Sequence, residues 1–532
     1  MKRINKLLPF VAVCLLGFAY ASFAFYIYTS HQYPQWDEHQ YLSLAVNLYD
    51  QFRHPWSLSW GSILAASGYR QPVYSMVIAL FLLILGTAHT YKLALLLNGI
   101  FYISSVIGTY IIARKYFSFA LSALTAILFA SLGNVLFYSH YTYTETAVTA
   151  FCVWSVVFLL NTDGFLKTKR TLIAAIFLAL AALTRWVGPV FVLGPALAVF
   201  IVAVYKALRK KKFRTKIILN IVLFFVIGAV VPIFAYYIPN ARIFFGEYVK
   251  NNQMYGAEWV AQYRSPDMVN TLSTRSVMYY FNIVSQNTVW IFVPFAIGVL
   301  IALWSWKRYA IPILGIAVPY IFFTGLAVWK EDRFIVPLYP YMAFLTVLPI
   351  ESIRSVILKR ILGIGLLIIA VCSYFGAFWA AGPMGNQGLK DIVLPDYIHH
   401  PRRIYLTPIV WPPNKEFVNA DVIVSTIQND WKGSAKPVVV KLFVFEPIDN
   451  ALLSILTYEQ RDLMIMETDV PKDGALPKKL EVRLADYVLD KEPGGVDHDM
   501  IIDSGYDYIR DISVPIDGST IYLYKKSELK DN

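Results

Sequence analysis

The chain has 532 residues, of which 57% are hydrophobic and only 15% are charged. A soluble globular domain carries about 25% charged residues, so this composition excludes a wholly soluble protein and indicates a chain that lies mostly in lipid. The net charge of +12 is uneven: residues 381–532 hold 17 Lys+Arg against 24 Asp+Glu, a net of −7, which leaves +19 for residues 1–380. That surplus lies in short clusters between apolar runs, as in cytoplasmic loops, so nucleic acid is not an expected partner.

The apolar runs predict a polytopic α-helical membrane protein. A spanning helix needs about 20 apolar residues, and short loops rich in Lys and Arg mark the cytoplasm. With the N-terminus MKRINK cytoplasmic, the first span (7–28) leads outward, and the short run 72–86 is predicted to be an interfacial helix on the outer leaflet. Further spans are predicted near 91–112, 118–138, 146–161, 171–184, 187–206, 216–238, 287–306, 309–328, 334–350 and 361–380. About eleven spans result, and they leave the C-terminal region extracytoplasmic.

Charged residues on the predicted outer side are the candidates for a functional site. The topology places nine of the eleven acidic residues of 1–380 there, and a few basic residues stay with them against the positive-inside trend. A salt bridge or headgroup contact explains any single one, but the set, gathered on one side of a charge-poor domain, predicts a site. The residues of interest are Asp37, Glu38, Glu145, Arg70, Arg185, Lys330 and Arg333.

The longest outer loop, 239–286, mixes aromatic and charged residues in a way that suits an amphipathic lid at the bilayer surface. For any single Tyr or Trp, an ordinary solvated loop with anchoring aromatics is the favoured interpretation. The predicted substrate-contacting residues of this loop are Tyr255, Trp259, Tyr263 and Arg264.

Residues 381–532 have the composition of a soluble α/β or α+β domain, predicted to lie outside the membrane domain 1–380. The stretches DVIVSTI, PVVVKLFVF and TIYLYKK resemble strands, and PIDNALLSILTYEQRDLM resembles a helix. In the turn-rich stretch DKEPGGVDHD, Asp497, His498 and Asp499 are metal-ligand types, but a solvated turn is the favoured interpretation.

Carboxylates and arginines at a membrane surface suit transfer of a group from a lipid phosphate. The cations would stabilise the leaving phosphate, and a carboxylate would take the proton from an acceptor hydroxyl. The leaving phosphate is already a weak base, so one base and one cationic clamp suffice.

Five stretches resemble, in order, landmarks of the GT-C superfamily of polyprenyl-phosphate-sugar-dependent glycosyltransferases. They are WDEHQYLSLAVNLYD, GYRQPVYSMVIALFLLILG, HYTYTETAVTAF, AALTRWVGP and WKEDRFIVPLYPYMAFL. The likeness covers roughly residues 1–350 and is greatest to the branch of protein O-mannosyltransferases and lipid A aminoarabinose transferases. It implies an integral protein of the plasma (inner) membrane that takes a sugar from a polyprenyl-phosphate donor.

The resemblance also implies roles for the acids. Asp37 matches the first-loop acid, which would be the catalytic base, and Glu38 would support it or help to bind a divalent metal. Glu145 matches the second-loop acid, which would position the acceptor or a metal. Whether a metal is needed stays open.

Basic residues would bind the donor phosphate. Arg185 and Arg333 match basic positions of the family, Lys330 lies beside Arg333, and Arg70 stands where the interfacial helix begins. One departure concerns the residue before Pro72: aminoarabinose transferases have an acid there, whereas this chain has Gln71. A metal site built on that acid is therefore not expected.

The leading hypothesis is an inverting glycosyltransferase whose acceptor is a hydroxyl of a glycolipid, polysaccharide or protein. One alternative is a ligase that transfers an oligosaccharide from a polyprenyl-diphosphate carrier. Another is a transporter or flippase of lipid-linked sugars, although such proteins usually have internal repeats and charges near mid-membrane. A catalytically inactive scaffold is a further alternative, against which the acids in both loops argue.

Overall fold

The computed structural model describes residues 17, 19–25, 27, 37–56, 58–87, 90–209, 214–250, 254, 257, 261, 269–287, 289–326, 330–379, 392–394, 402–404, 420–432, 438–441, 464–467, 486–492, 501–502, 506–513 and 520–527. The chain divides into two compact units, each made of several stretches of sequence. The first unit comprises Met1–Ala24, His54–Val77 and Leu95–Pro412. The second comprises Phe25–Arg53, Ile78–Ala94 and Pro413–Asn532.

Helices dominate the chain up to residue 379. They are α1 (Asp37–Arg53), α2 (Trp60–Ser67), α3 (Val73–Leu85), α4 (Thr90–Ala113), α5 (Phe119–Ser131), α6 (Gly133–Ser139), α7 (Thr144–Leu160), α8 (Thr168–Thr184), α9 (Gly188–Arg209), α10 (Arg214–Phe225), α11 (Thr274–Asn287), α12 (Val289–Trp304), α13 (Trp306–Gly325), α14 (Tyr339–Ser352) and α15 (Val356–Trp379). A 3₁₀ helix, Asp332–Leu338, leads into α14, and three π-helical segments, Val226–Val230, Ile233–Tyr237 and Arg242–Val249, follow α10.

Each of the ten spans predicted after residue 90 coincides with a helix. Among the described residues, six helical segments are long and apolar enough to cross a membrane, and the pair α5–α6, bent by 59°, makes a seventh if it is one span. Others, such as α7, are apolar but shorter. The run 72–86 forms the short apolar helix α3, and most of the first predicted span lies outside the described residues.

Burial separates the centre of the first unit from its periphery. Of the segment Arg333–Ser352, 83% is buried inside the protein, against 11% of Val356–Tyr374. Both segments are apolar, so the exposed one requires an apolar solvent, which is what a bilayer supplies. The core therefore lies around α14, and α15 is a peripheral helix.

Glycines bring several helices into close contact. Gly194 of α9 lies on the carbonyl of Leu314 in α13, and Gly298 of α12 lies on the carbonyl of Leu345 in α14, each so close that a Cβ would overlap it. Small residues at helix crossings are typical of membrane proteins, where packing rather than the hydrophobic effect holds helices together.

The π-helical segments are anchored to neighbouring parts of the same unit. The Tyr236 hydroxyl donates to the Gly68 carbonyl at 3.2 Å, and the Tyr237 hydroxyl donates to the Ala182 carbonyl at 2.7 Å. The Trp60 indole donates to the Ala235 carbonyl at 2.6 Å. These bonds join the segment to α2 and to the end of α8.

The second unit contains a five-stranded mixed sheet. Strand β3 (Val438–Lys441) is parallel to both β4 (Met464–Glu467) and β5 (Tyr487–Glu492), and β7 (Thr520–Lys526) runs antiparallel between β5 and β6 (Tyr506–Ser513). Helix α16 (Ala420–Asp430) meets this sheet, because the Tyr487 hydroxyl donates to Asp430 at 2.6 Å. Two short strands of the first unit, β1 (Ile392–Leu394) and β2 (Arg402–Ile404), pair antiparallel.

One predicted strand of the soluble region is wrong. The stretch DVIVSTI forms part of α16, in which Ile423 and Ile427, one helical turn apart, are the buried residues. Packing of that face overrides the strand preference of its β-branched residues. The strands predicted in PVVVKLFVF and TIYLYKK are present as β3 and β7. The predicted helix before Met464 and the residues Asp497, His498 and Asp499 lie outside the described residues.

Candidate active site

Glu145 lies in the first turn of α7 and is almost completely buried, with 1% of the residue exposed. The N-cap residue of this helix is Tyr143, whose side chain makes no capping hydrogen bond. A carboxylate near a helix N-terminus interacts favourably with the helix dipole. The carboxylate of Glu145 nevertheless needs strong partners, because a buried charge without them is very costly.

Two arginines provide those partners. Arg185, the residue that directly follows α8, donates from Nη1 to Glu145 Oε1. The Nε of Arg333 lies 3.7 Å from the same oxygen and also pairs with Glu331. Residues far apart in sequence are therefore brought together at one end of the helices, as a group of alternating charge.

Aromatic rings line the guanidinium groups. The Cζ of Arg185 lies 4.7 Å from the ring centre of Phe334, and that of Arg333 lies 5.2 Å from the ring of Tyr143. Such cation–π contacts stabilise a desolvated cation and fix the plane of the guanidinium. The side chains are only 16% and 19% exposed, so little water reaches them.

Lys330 adds a further buried cation to this segment, with 1% of the residue exposed. Burial disfavours the ammonium form and lowers the pKa of Lys330 to about 8. Three basic residues of this part of the chain, Arg185, Lys330 and Arg333, are therefore largely buried, and buried basic groups suit an anionic ligand.

Tyr280 of α11 is a neighbour that the sequence did not indicate. Burial first, then Tyr279 and the charge of Glu331, raise the pKa of Tyr280, whereas Arg185 lowers it. Its phenol is thus within electrostatic range of the arginine group. The rings of Tyr143 and Phe334 were likewise not singled out, although both are sequence neighbours of charged members of the group.

The other predicted acids belong to the second unit. Asp37 is the first residue of α1, and its side chain lies outside the described part of the chain. Glu38 is fully buried, and the Tyr91 hydroxyl donates to Glu38 Oε1 at 3.5 Å. A carboxylate in hydrogen bond to a phenol is held in a defined orientation.

The remaining predicted residues have varied positions. The guanidinium of Arg70 lies over the ring of Tyr69 at 4.9 Å, just before α3, and Gln71 is buried. The predicted loop residues Tyr255, Trp259, Tyr263 and Arg264 lie outside the described residues.

The described residues do not fit a divalent metal. No three His, Cys, Asp or Glu side chains among them are placed to hold one. The carboxylates of Glu145 and Glu331 bind guanidinium groups instead, and position 71, where the resemblance in sequence implies an acid, is the amide Gln71.

The architecture is similar to solved structures, although no family profile and no curated protein sequence match the chain. ArnT from Cupriavidus metallidurans in the apo state superposes with a TM-score of 0.55 at 13% identity, over 98% of each chain. The same protein bound to undecaprenyl phosphate gives 0.52, also at 13% identity over 98% of each chain. The Archaeoglobus fulgidus oligosaccharyltransferase in complex with Zn and sulfate gives 0.50 at 16% identity, over 97% of this chain and 74% of that one.

These similarities define the fold of the protein. The chain has a polytopic membrane-protein fold of the GT-C type with a small C-terminal sheet, which confirms the fold expected from the sequence. Because the identities are low, the similarities establish the fold alone.

Proposed function

We propose that this protein is a glycosyltransferase that moves a sugar from a polyprenyl-phosphate donor to a hydroxyl acceptor. The observation that carries the proposal is the buried group of Glu145, Arg185 and Arg333, with Lys330 nearby in sequence, on a GT-C fold. Two largely buried arginines in a protein built of apolar helices suit a ligand with a phosphate head and a hydrocarbon tail. The ArnT structure bound to undecaprenyl phosphate supports this donor class.

The arginines would stabilise the leaving phosphate. Each guanidinium has five N–H donors, of which the contacts to Glu145 and Glu331 use only part, so donors remain for phosphate oxygens. In the reaction the acceptor oxygen bonds to the anomeric carbon as the bond from that carbon to the phosphate oxygen breaks. The electron pair of the broken bond stays on the phosphate, next to the cations, and inversion of configuration follows from direct displacement.

Glu145 acts in this proposal as a positioning residue. Its carboxylate accepts from Arg185 and attracts Arg333, so it sets the orientation of both guanidinium groups. This differs from the sequence-based expectation that it positions an acceptor or a metal. Preorganised cations stabilise a developing charge without reorganisation during the reaction.

Asp37 is proposed as the base that takes the proton of the acceptor hydroxyl, with Glu38 supporting it. This assignment comes from the match of WDEHQ to the first-loop motif. Asp37→Asn should reduce transfer by at least the ~100-fold that general base catalysis typically contributes, with an unchanged melting temperature. The measurement is release of undecaprenyl phosphate from a radiolabelled donor by purified protein, and wild-type activity of Asp37→Asn would contradict the assignment.

The experiment that tests the function uses purified protein in lipid nanodiscs. Undecaprenyl-phosphate esters of mannose, glucose and 4-amino-arabinose are supplied with envelope extracts as acceptor, and the matching diphosphate donors are assayed in parallel. Transfer from a monophosphate donor that Arg333→Gln abolishes supports the proposal. Transfer from diphosphate donors alone indicates the ligase, and uptake of donor into proteoliposomes without a covalent product indicates a transporter.

We further propose that the arginine group faces the extracytoplasmic side of the plasma membrane. The opposite end of the α7–α8 hairpin carries Lys167, Lys169 and Arg170, which the positive-inside rule favours on the cytoplasmic side. Single cysteines introduced at Lys169 and at Arg70 test this with a membrane-impermeant maleimide on intact cells. Labelling at position 70 alone is the expected result, and labelling at position 169 alone would reverse the orientation.

A further inference from the structure

Two buried threonines stand directly beside the ion pair of the site. Thr144 precedes Glu145, and Thr184 precedes Arg185. They are 0% and 1% exposed, and neither hydroxyl has a hydrogen-bond partner among the described residues. A buried hydroxyl without a partner costs free energy, so each such group calls for an explanation.

Other buried threonines of the same hairpin are satisfied. The Thr149 hydroxyl donates to the Glu145 carbonyl at 2.6 Å, and that of Thr146 donates to the Tyr138 carbonyl at 2.9 Å. At the start of α8, the Thr171 hydroxyl donates to the Lys167 carbonyl at 3.2 Å. Among the buried threonines that the structure describes in this hairpin, the hydroxyls without a partner are therefore those of the two positions next to the charges.

Helix packing puts both threonines at the same end of the hairpin. A Cβ on Gly188, the first residue of α9, would lie 2.6 Å from the Ala181 carbonyl oxygen and 2.9 Å from Val148, so the start of α9 packs closely against both α7 and α8 there. Thr144 lies one turn before Val148, and Thr184 lies one turn after Ala181. The first N–H groups of α7, which the side chain of Tyr143 does not cap, are at this same end.

We propose that Thr144 and Thr184 bind hydroxyl groups of the transferred sugar, an inference that rests on the glycosyltransferase function proposed above. A sugar hydroxyl both donates and accepts, as a threonine hydroxyl does, whereas phosphate oxygens mainly accept and have Arg185 and Arg333 available. A buried site built to bond a hydroxyl rejects ligands that lack it strongly, because its own polar groups then stay unpaired. The two threonines are thus assigned to donor selection.

The test compares binding of sugar-bearing and sugar-free lipids. Thr144→Val and Thr184→Val remove one hydroxyl each and keep the side-chain shape, and Thr149→Val is the matched control because its hydroxyl is already used within α7. Dissociation constants are measured in nanodiscs for undecaprenyl phosphate and for its mannosyl, glucosyl and 4-amino-arabinosyl esters. We expect each Val variant to bind the preferred ester about tenfold more weakly and undecaprenyl phosphate unchanged, at an equal or higher melting temperature. Thr144→Ser and Thr184→Ser keep a hydroxyl at each position and should bind the preferred ester as the wild-type protein does.

Equal weakening for undecaprenyl phosphate and its esters would overturn the inference, because the threonines would then contact the phosphate. Unchanged affinity for every ester would overturn it too. If a Val variant does not fold, Thr→Ala at the same position is assessed in the same way. Wild-type protein that binds none of these lipids would refute the proposed function, whereas wild-type binding that the variants retain refutes only the role of the threonines.

Discussion

The two ends of the α7–α8 hairpin carry the same kind of ion pair in opposite surroundings. At one end Glu145 and Arg185 have side chains that are 2% and 16% exposed. At the other, Asp163, in the turn between the helices, pairs with Lys206 at 2.6 Å with side chains 54% and 32% exposed. The hairpin therefore has a buried ion pair at one end and a solvent-exposed ion pair at the other.

The difference shows why a buried pair indicates function and an exposed pair does not. An exposed ion pair contributes about 0–1 kcal/mol to the free energy of unfolding, so substitutions of its residues change stability little. A buried pair is often no more stable than apolar residues of the same size, so its retention needs another reason. At the Glu145 end, the phosphate binding proposed above would provide one.

The largest effect is expected from breaking the buried pair. Glu145→Ala leaves Arg185 buried without its carboxylate, which should lower the free energy of unfolding by roughly 3–5 kcal/mol and abolish transfer. Glu351→Ala is the matched control, since Glu351 and Lys359 form a half-buried pair at 3.3 Å, with side chains 29% and 32% exposed. Thermal unfolding in detergent and the transfer assay measure both effects.

A double variant separates stability from activity at this position. Glu145→Leu combined with Arg185→Met removes both charges and should recover most of the lost stability without recovering transfer. Recovery of transfer in the double variant would show that the pair is only structural.

A smaller effect is expected from forcing the helices apart near the site. Gly188→Ala places a methyl group 2.6 Å from the Ala181 carbonyl oxygen, and such overpacking typically costs about 1–3 kcal/mol. We expect a lower melting temperature and reduced transfer, because the segment that holds Arg185 must shift. Gly363→Ala in α15 is the control, since a Cβ there meets nothing within 4 Å. Equal melting temperatures for the two variants would contradict the close packing.

The next effect concerns pH. Lys330 has a pKa lowered to about 8, so it is charged below that pH and becomes neutral as the pH rises through it. Affinity for undecaprenyl phosphate should fall about tenfold between pH 7.5 and 9.5, since hydrogen bonds to charged groups contribute roughly 1.5–3 kcal/mol. Lys330→Arg keeps the charge throughout and should remove the decline. A wild-type profile that matches that of Lys330→Arg would exclude Lys330 from phosphate binding.

The smallest effect is expected at the exposed end of the hairpin. Asp163→Asn removes the partner of Lys206 where water already screens both charges, so the free energy of unfolding should change by less than about 1 kcal/mol and transfer should stay at the wild-type level. A change as large as that of Glu145→Ala would invalidate the contrast between the two ends.

Much of the fold was predictable because lipid leaves few options for a long apolar segment. Each predicted span after residue 90 has its helix, and α3 forms where a short interfacial helix was expected. The stretch DVIVSTI in α16 was wrongly predicted as a strand, because its alternating β-branched residues also place Ile423 and Ile427 on one face of a helix. The local sequence pattern fits both a strand and a helix, and the surface against which the segment packs decides between them.

For the site, the predicted topology placed seven charged residues in one set, and three of them, Glu145, Arg185 and Arg333, lie together. The other four are Asp37, Glu38, Arg70 and Lys330. The pairing of the three could not be predicted, because which cation meets which carboxylate depends on how helix ends approach each other. Tyr280 and the threonine hydroxyls were missed for a related reason: Tyr and Thr are common in membrane helices, and only burial and partners distinguish these.

The π-helical run after α10 has a consequence for the end of α8. A π-helix, with its i→i+5 hydrogen bonds, is rare and mostly limited to single turns, so a longer run depends on the contacts that surround it. The bonds of Tyr236 to Gly68 and of Tyr237 to Ala182 are two such contacts. The second bond ties the run to the last turn of α8, which Arg185 follows directly, so the conformation of this run and the position of Arg185 are mechanically coupled.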